Sequence, residues 1–313
     1  MSSQSEVDNL RGRGVIVTGG AGFIGTHLIK RLVQRGARVF CVDQTSTSFA
    51  EQGVQVRSCD LTQAGQVARV FASINQEVPV ELVFHLAAQN SIPKSLASPI
   101  ETFRINVDGT AHALEASLGC SHLRHFFLLS TYGLRNLVDD GKGMDSPYLM
   151  SKLCAEEIAL SYAKSGSLPV SVCRLANVYG PHQPVDAVVP SIIRQAYSKD
   201  SIHIGNATPV RDFVFIADVI DALIKLSETP KTYGRMIEIG TGRGHSIQDV
   251  VDLVVQISRF KGKVVSDKRR IRSNDQNTLT ADTSRIQNEL GWYPQMTLEQ
   301  GLQAVVGEMY PNR

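Results

Sequence analysis

Tyr148 and Lys152, four residues apart in a chain of 313 residues, have the types and spacing to do chemistry. On a helix the two share one face. A phenol ordinarily ionises near pH ~10, so it serves as an acid or base near neutrality only where its anion is stabilised. An ammonium group one helical turn away supplies charge of the required sign. Ser130-Thr131, closing a run of apolar residues, can offer a hydroxyl to the same reacting oxygen. The three together describe proton transfer to and from a substrate oxygen.

A second constellation lies near the start. Thr18-Gly19-Gly20-Ala21-Gly22-Phe23-Ile24-Gly25 joins an apolar run to an amphipathic stretch, with Gly19, Gly22 and Gly25 in GxxGxxG spacing. A chain that must turn sharply, approach a pyrophosphate and pack a helix on a strand has no room for side chains at those three points. The helix N-terminus then presents free N–H groups and a positive dipole end to the phosphates. Asp43 follows the second apolar run, about 20 residues on, where a carboxylate accepts hydrogen bonds from a ribose 2′-hydroxyl and repels a 2′-phosphate. The pattern predicts NAD rather than NADP, and the oxidised nicotinamide adds a second positive charge beside Tyr148. Asp60-Leu61 is placed to meet the adenine.

The elements that must hold these groups alternate. Residues 15–17, 38–42, 55–58, 82–86, 125–129 and 170–175 read as buried strands. Helices are predicted at 23–35, 62–73 with Thr62 as cap, 99–118 and 147–165. That rhythm implies right-handed crossovers and an α/β fold, a doubly wound parallel sheet of Rossmann type. After Asn177 the pattern loosens around Pro181, Pro184 and Pro190, with helices near 190–198, 218–226, 246–260, 283–290 and 298–309 and a strand near 236–239. A net charge of +2 gives no indication of a nucleic-acid partner. No apolar run approaches a membrane span, the polar N-terminus lacks a secretory core, and a cytoplasmic protein is expected. Cys41, Cys59, Cys120, Cys154 and Cys173 are odd in number and widely spaced, so neither a disulfide framework nor a metal site is expected.

With these features in order, the chain resembles the extended short-chain dehydrogenase/reductases, in particular the NAD-dependent epimerase/dehydratase branch. The resemblance runs from about Val15 to Leu302 through TGGAGFIG at 18–25, Asp43, Asp60-Leu61, HLAAQNSIPKS at 85–95, Asn106, SPYLMSK at 146–152, RLANVYGP at 174–181, RDFVFIADV at 211–219, EIGTG at 238–242 and LGWYP at 290–294. It implies Thr131, Tyr148 and Lys152 as catalytic residues. Cofactor contacts are implied at Gly19, Gly22, Phe23, Ile24, Gly25, Asp43, Asp60, Leu61, Ala87 and Ala88, besides Tyr148 and Lys152. A nucleotide-diphosphate sugar would meet Lys94, Ser95, Asn177, Val189, Arg211 and Arg272. Arg211 could instead bridge Asp212 or Asp218. Asn277 and Ile204 depart from the arginine and the aromatic that many relatives carry. The resemblance further implies an NAD-binding domain at 1–177 rejoined by 211–240, a smaller α/β substrate-binding domain at 178–210 and 241–313, and a homodimer built on the helices at 99–118 and 147–165.

Departures narrow the chemistry. Sugar dehydratases of the family place Asp-Glu after the catalytic Thr; here Tyr132-Gly133 follows, and neither the nearby Glu of the decarboxylases nor the Cys of the GDP-fucose synthases is present. Leu134-Arg135-Asn136 replaces the usual VYG, and the loop from Asn136 to Ser146 is short. Machinery for one reversible alcohol–ketone oxidation remains, which fits a 4-epimerase best. A net reductase or dehydrogenase, a dehydratase and a non-catalytic dinucleotide-sensing regulator are the alternatives.

Overall fold

A computed structural model describes residues 10–45, 49, 51, 53–135, 146–229, 232–267 and 278–311. Arg272, Asn277 and residues 136–145 of the shortened loop lie outside the described residues. In chain order the first half comprises β1 (Gly14–Thr18), α1 (Phe23–Gln34), β2 (Arg38–Asp43), β3 (Val54–Ser58), α2 (Ala64–Glu77), β4 (Val80–His85), α3 (Ile92–Ala97) and α4 (Pro99–Phe103). A π-helical turn (Arg104–Asp108) leads into α5 (Gly109–Ser117), β5 (His125–Thr131), a 3-10 turn (Tyr132–Leu134), α6 (Pro147–Lys164) and β6 (Val170–Leu175). The remainder comprises β7 (Asn177–Tyr179), α7 (Val188–Ser198), β8 (Ser201–Ile204), β9 (Val210–Phe215), α8 (Ile216–Ser227), β10 (Met236–Ile239), β11 (Gly244–Ser246), α9 (Ile247–Ser258), β12 (Lys263–Ser266), β13 (Thr278–Leu279), α10 (Ser284–Leu290) and α11 (Leu298–Met309).

Seven strands form one sheet in the order β3-β2-β1-β4-β5-β6-β10, and the pairs from β3 through β5 are parallel. The α/β doubly wound sheet is the one the alternating pattern predicts. β1 is buried at every residue, as an apolar run covered on both faces must be. One face is closed by Val67, Phe71 and Ile74 of α2, Ala113 and Leu114 of α5, and Ala155 and Ala159 of α6. Strand order reverses between β1 and β4, so their carboxyl ends frame the crevice where folds of this type bind ligands.

The chain divides into two compact units, Met1–Arg174 with Leu223–Ile237, and Leu175–Ala222 with Glu238–Arg313. The expected return of 211–240 to the first domain is therefore shorter. Residues 211–222 stay with the second unit, because β9 pairs with β7, β11 and β13 rather than with the large sheet. Two further local expectations change. Thr62 does not cap α2; its hydroxyl donates to Asp60 Oδ1 at 2.8 Å, and Gln63 stands at the N-cap without a side-chain cap. The helix expected at 99–118 is interrupted by the π-helical turn, and α3 precedes it.

In the second unit Asp212 is fully buried and gathers a loop around its carboxylate. Oδ1 accepts from Thr241 N at 2.9 Å and Thr241 Oγ1 at 2.6 Å, while Oδ2 accepts from Gly242 N at 2.8 Å and Ala281 N at 3.2 Å. Gly240 lets this happen, since a Cβ there would sit 2.7 Å from Oδ2. Asp212→Asn keeps the volume but turns an amide NH₂ toward N–H donors. Urea unfolding is expected to show a loss of about 2–3 kcal/mol; an unchanged midpoint would remove this carboxylate from the list of supports.

Candidate active site

Thr131 closes β5 and Tyr148 lies in the first turn of α6. Ser146 caps that helix, accepting from Leu149 N at 3.4 Å, and Pro147 takes the N1 position, where its missing N–H is not needed. The caps bring the tyrosine to the end of the strand, and its side chain hydrogen-bonds Thr131. Lys152 is one turn further on. Only 4% exposed, it donates from Nζ to Leu129 O at 2.7 Å. The three residues chosen from sequence are thus brought together.

Glu156, a second turn beyond, was not read from the sequence as part of this group. Tyr148, Lys152 and Glu156 are spaced i, i+4, i+8, a signal available in the sequence. The carboxylate is buried and gripped by Arg174 of β6, Nε to Oε1 at 2.9 Å and Nη2 to Oε2 at 2.7 Å. This fork-on-fork pair is the strong form of a charge-assisted hydrogen bond.

The electrostatics follow from burial. Desolvation pushes the Tyr148 phenol up to about 12; the Thr131 hydrogen bond opposes this and the Glu156 charge adds to it. Desolvation brings the Lys152 ammonium down to about 8, against the pull of Glu156. Burial is the largest influence on the phenol in the protein alone, ahead of either neighbouring group.

The glycine turn fits a dinucleotide. Gly19 has φ +66°, and a Cβ on it would lie 2.6 Å from Ala87 N; a Cβ on Gly25 would lie 2.6 Å from Gly19 O. Helix α1 then begins at Phe23 with no side-chain cap and no acidic residue in its first turn, leaving the amides at Phe23, Ile24 and Gly25 suited to an anion. Asp43 is drawn to the turn by Ala21 N at 3.1 Å and takes Thr45 N at 3.0 Å, which keeps acceptor capacity beside the turn for hydroxyls. Asp60 accepts from Thr62 and from Gln44 Nε2 at 2.9 Å; burial raises its carboxyl, but those bonds hold it below the usual range. Leu61 is buried beneath it, and Ala87-Ala88 follow β4.

Other sequence choices are placed differently. Ser95 is fully buried and donates to Ile92 O at 2.7 Å, so its hydroxyl is committed to the chain; Lys94 is exposed. Val189 is buried in α7 and Ile204 in β8. Asn177 and Arg211 lie on adjacent strands, since Asn177 pairs with Phe213, and Arg211 Nη1 donates to Val210 O at 2.7 Å. Asp212 and Asp218 use their carboxylates on backbone amides, Asp218 on Gln295 N at 3.0 Å and Met296 N at 3.1 Å. After Thr131, Tyr132 and Leu134 are buried, and Leu134 packs with Leu149 against Tyr148, Met150 and Leu153. Among the described residues no cluster of three or more His, Cys, Asp or Glu could hold a metal ion, and no helix is long and apolar enough to cross a membrane.

The sequence model of the NAD dependent epimerase/dehydratase family matches residues 15–240. The chain is 30% identical to a UDP-glucose 4-epimerase of Mycolicibacterium smegmatis over 95% of its own length and 98% of that protein's. It is 26% identical to a GDP-6-deoxy-D-mannose reductase of Pseudomonas aeruginosa, with 94% and 96% covered. Among solved structures, a UDP-glucose 4-epimerase of Thermus thermophilus in complex with NAD superimposes with a TM-score of 0.83 at 27% identity, covering 96% of this chain and all of that one.

Glu156→Leu leaves Arg174 as a buried charge without its partner. A loss of about 3–5 kcal/mol is expected in chemical denaturation, with most of it recovered in Glu156→Leu/Arg174→Met. A mild single variant, or a double variant no better than the single, would show that the pair is not what holds α6 to β6.

Proposed function

We propose, from the premise that the chain belongs to the NAD dependent epimerase/dehydratase family and takes NAD as cofactor, that it inverts C4 of a nucleoside-diphosphate sugar through a transient 4-ketone. NAD, when bound, supplies the acceptor and then the donor of the C4 hydride. Tyr148, as the phenolate, takes the proton of the 4-hydroxyl and returns it to the same oxygen. Thr131, already hydrogen-bonded to the phenol, steadies that oxygen. Lys152 places a positive charge one turn behind Tyr148, favouring the phenolate as it forms, and retains hydrogens for the nicotinamide ribose. Asn177 and Arg211 supply amide and guanidinium donors suited to a diphosphate; Lys94, Val189 and Arg272 complete the substrate contacts of this reading.

The observation that carries the choice of reaction is the pair directly after Thr131, a buried Tyr132 followed by Gly133. No carboxylate stands there to protonate or deprotonate a neighbouring carbon, which supports epimerisation over elimination. The exposed apolar side chains of Leu96, Ile100 and Leu118 support a homodimer through that helical face, to be measured as a doubled mass in light scattering; a monomer at all concentrations removes it. Five free thiols suit a reducing compartment, in keeping with a cytoplasmic assignment.

The test is a panel of UDP-, GDP- and dTDP-sugars with NMR of the products. Inversion at C4 with no net absorbance change at 340 nm is expected, and net formation or consumption of the reduced cofactor would establish a reductase instead. Tyr148→Phe should lower turnover by about 10³-fold while NAD still binds; near-normal turnover would exclude Tyr148 as the proton carrier.

A further inference from the structure

We propose that His85 is a positioning residue, linking the glycine turn to the backbone of Tyr148 through one directed chain of buried hydrogen bonds. The proposal rests on that turn being the NAD site.

His85 ends β4 beside Thr18, the last residue of β1, where strand order reverses. It is fully enclosed between two hydroxyls, Nδ1 lying 2.8 Å from Thr18 Oγ1 and Nε2 lying 3.1 Å from Thr110 Oγ1. Counting protons leaves one arrangement. The single hydroxyl proton of Thr110 goes to Asn106 O at 2.6 Å, so Thr110 Oγ1 accepts from the ring and Nε2 carries the ring proton. Nδ1 is then the acceptor, taking the Thr18 hydroxyl proton, and Thr18 Oγ1 accepts from Ala87 N at 3.4 Å. Burial, with the Lys152 charge adding to it, holds the imidazole down at about 3, so the ring stays neutral and Nδ1 stays an acceptor.

Beyond Thr110 the chain continues. Asn106 lies in the π-helical turn, a device that recurs at functional sites. Its amide is oriented by a reciprocal pair, Gln89 N donating to Oδ1 at 2.7 Å and Nδ2 donating to Gln89 O at 3.0 Å. Nδ2 also donates to Ser151 Oγ at 2.8 Å, and Ser151 donates to Tyr148 O at 2.8 Å. Every donor and acceptor along the route has its direction fixed. The near end bears on the phosphate turn, because Gly19 packs so closely on Ala87 that a Cβ would lie 2.6 Å from the very N–H that starts the chain. An anion that adjusts the turn is therefore felt at Thr18, His85, Thr110, Asn106 and Ser151 in sequence, and at Tyr148 last.

A polar cluster that merely satisfies its own buried groups would transmit nothing, and hydrogen exchange separates the two cases. ADP carries the diphosphate and no nicotinamide ring. In the unaltered protein, ADP is expected to slow exchange at amides 148–153 by about threefold or more. Thr110→Val removes the hydroxyl and keeps the shape; it should bind ADP within about twofold of the unaltered protein and lose the slowing. His85→Asn keeps an acceptor for Thr18, does not reach Thr110, and should behave alike. ADP binding without slowing, or slowing that survives Thr110→Val, overturns the relay alone; failure of the unaltered protein to bind ADP overturns the dinucleotide reading with it. Should both variants fail to fold, nitrogen-edited NMR of the unaltered protein still decides: an Nε2–H ring is expected, and an Nδ1–H ring breaks the chain.

Discussion

An ammonium group taken out of water governs this molecule. Lys152 is buried with one hydrogen donated to a strand carbonyl, and an isolated charge so placed is unfavourable by several kcal/mol. Glu156 offsets it from the next helical turn, and Arg174 in turn fixes Glu156. Two cations and one anion leave a single surplus positive charge beside the phenol. That surplus is what a departing proton requires, and it is held by a helix and a strand rather than by loops. The helix capped at Ser146, the strand ending at Thr131 and the bidentate pair all serve to keep it there.

The same logic explains why the phenol is quiet until it is used. Desolvation raises the phenol's pKa, and the Thr131 hydroxyl pulls the other way. Charge stabilisation at this site comes from fixed groups that need no rearrangement when the proton moves, which is the economy of a preorganised site. The glycine turn obeys a steric version of the rule. Gly19 and Gly25 are defined by what a Cβ would strike, so the turn is shaped by neighbouring backbone before any ligand arrives.

Local signals in the sequence carried the large sheet and the principal residues. Apolar runs such as Val15–Val17 are bounded by glycine, and the spacing of Tyr148 and Lys152 gains its meaning from a place after the fifth strand, beside Ser130-Thr131. Long-range choices were not legible. Residues 211–240 read as returning to the first domain, yet the partners of β9 are β7, β11 and β13, short segments with no periodicity of their own. Thr62 has the side chain of a helix cap, but its hydroxyl donates to the Asp60 carboxylate two residues earlier and the helix begins one residue further on, after Gln63. Ser95 sits in a stretch resembling substrate contacts and folds its hydroxyl onto its own helix. The π-helical turn has no sequence mark except Asn106, whose three side-chain hydrogen bonds appear only once Gln89 and Ser151 are in place.

Tyr132 sets a boundary on how this protein could change its chemistry. Its ring is buried directly after Thr131, and a carboxylate substituted there would be an anion enclosed away from water. A Cβ on the adjoining Gly133 would stand only 3.2 Å from Leu149 Cδ2. An acid–base pair at these positions therefore requires both a shift of Leu149 and an opening of the buried Tyr132 position to water.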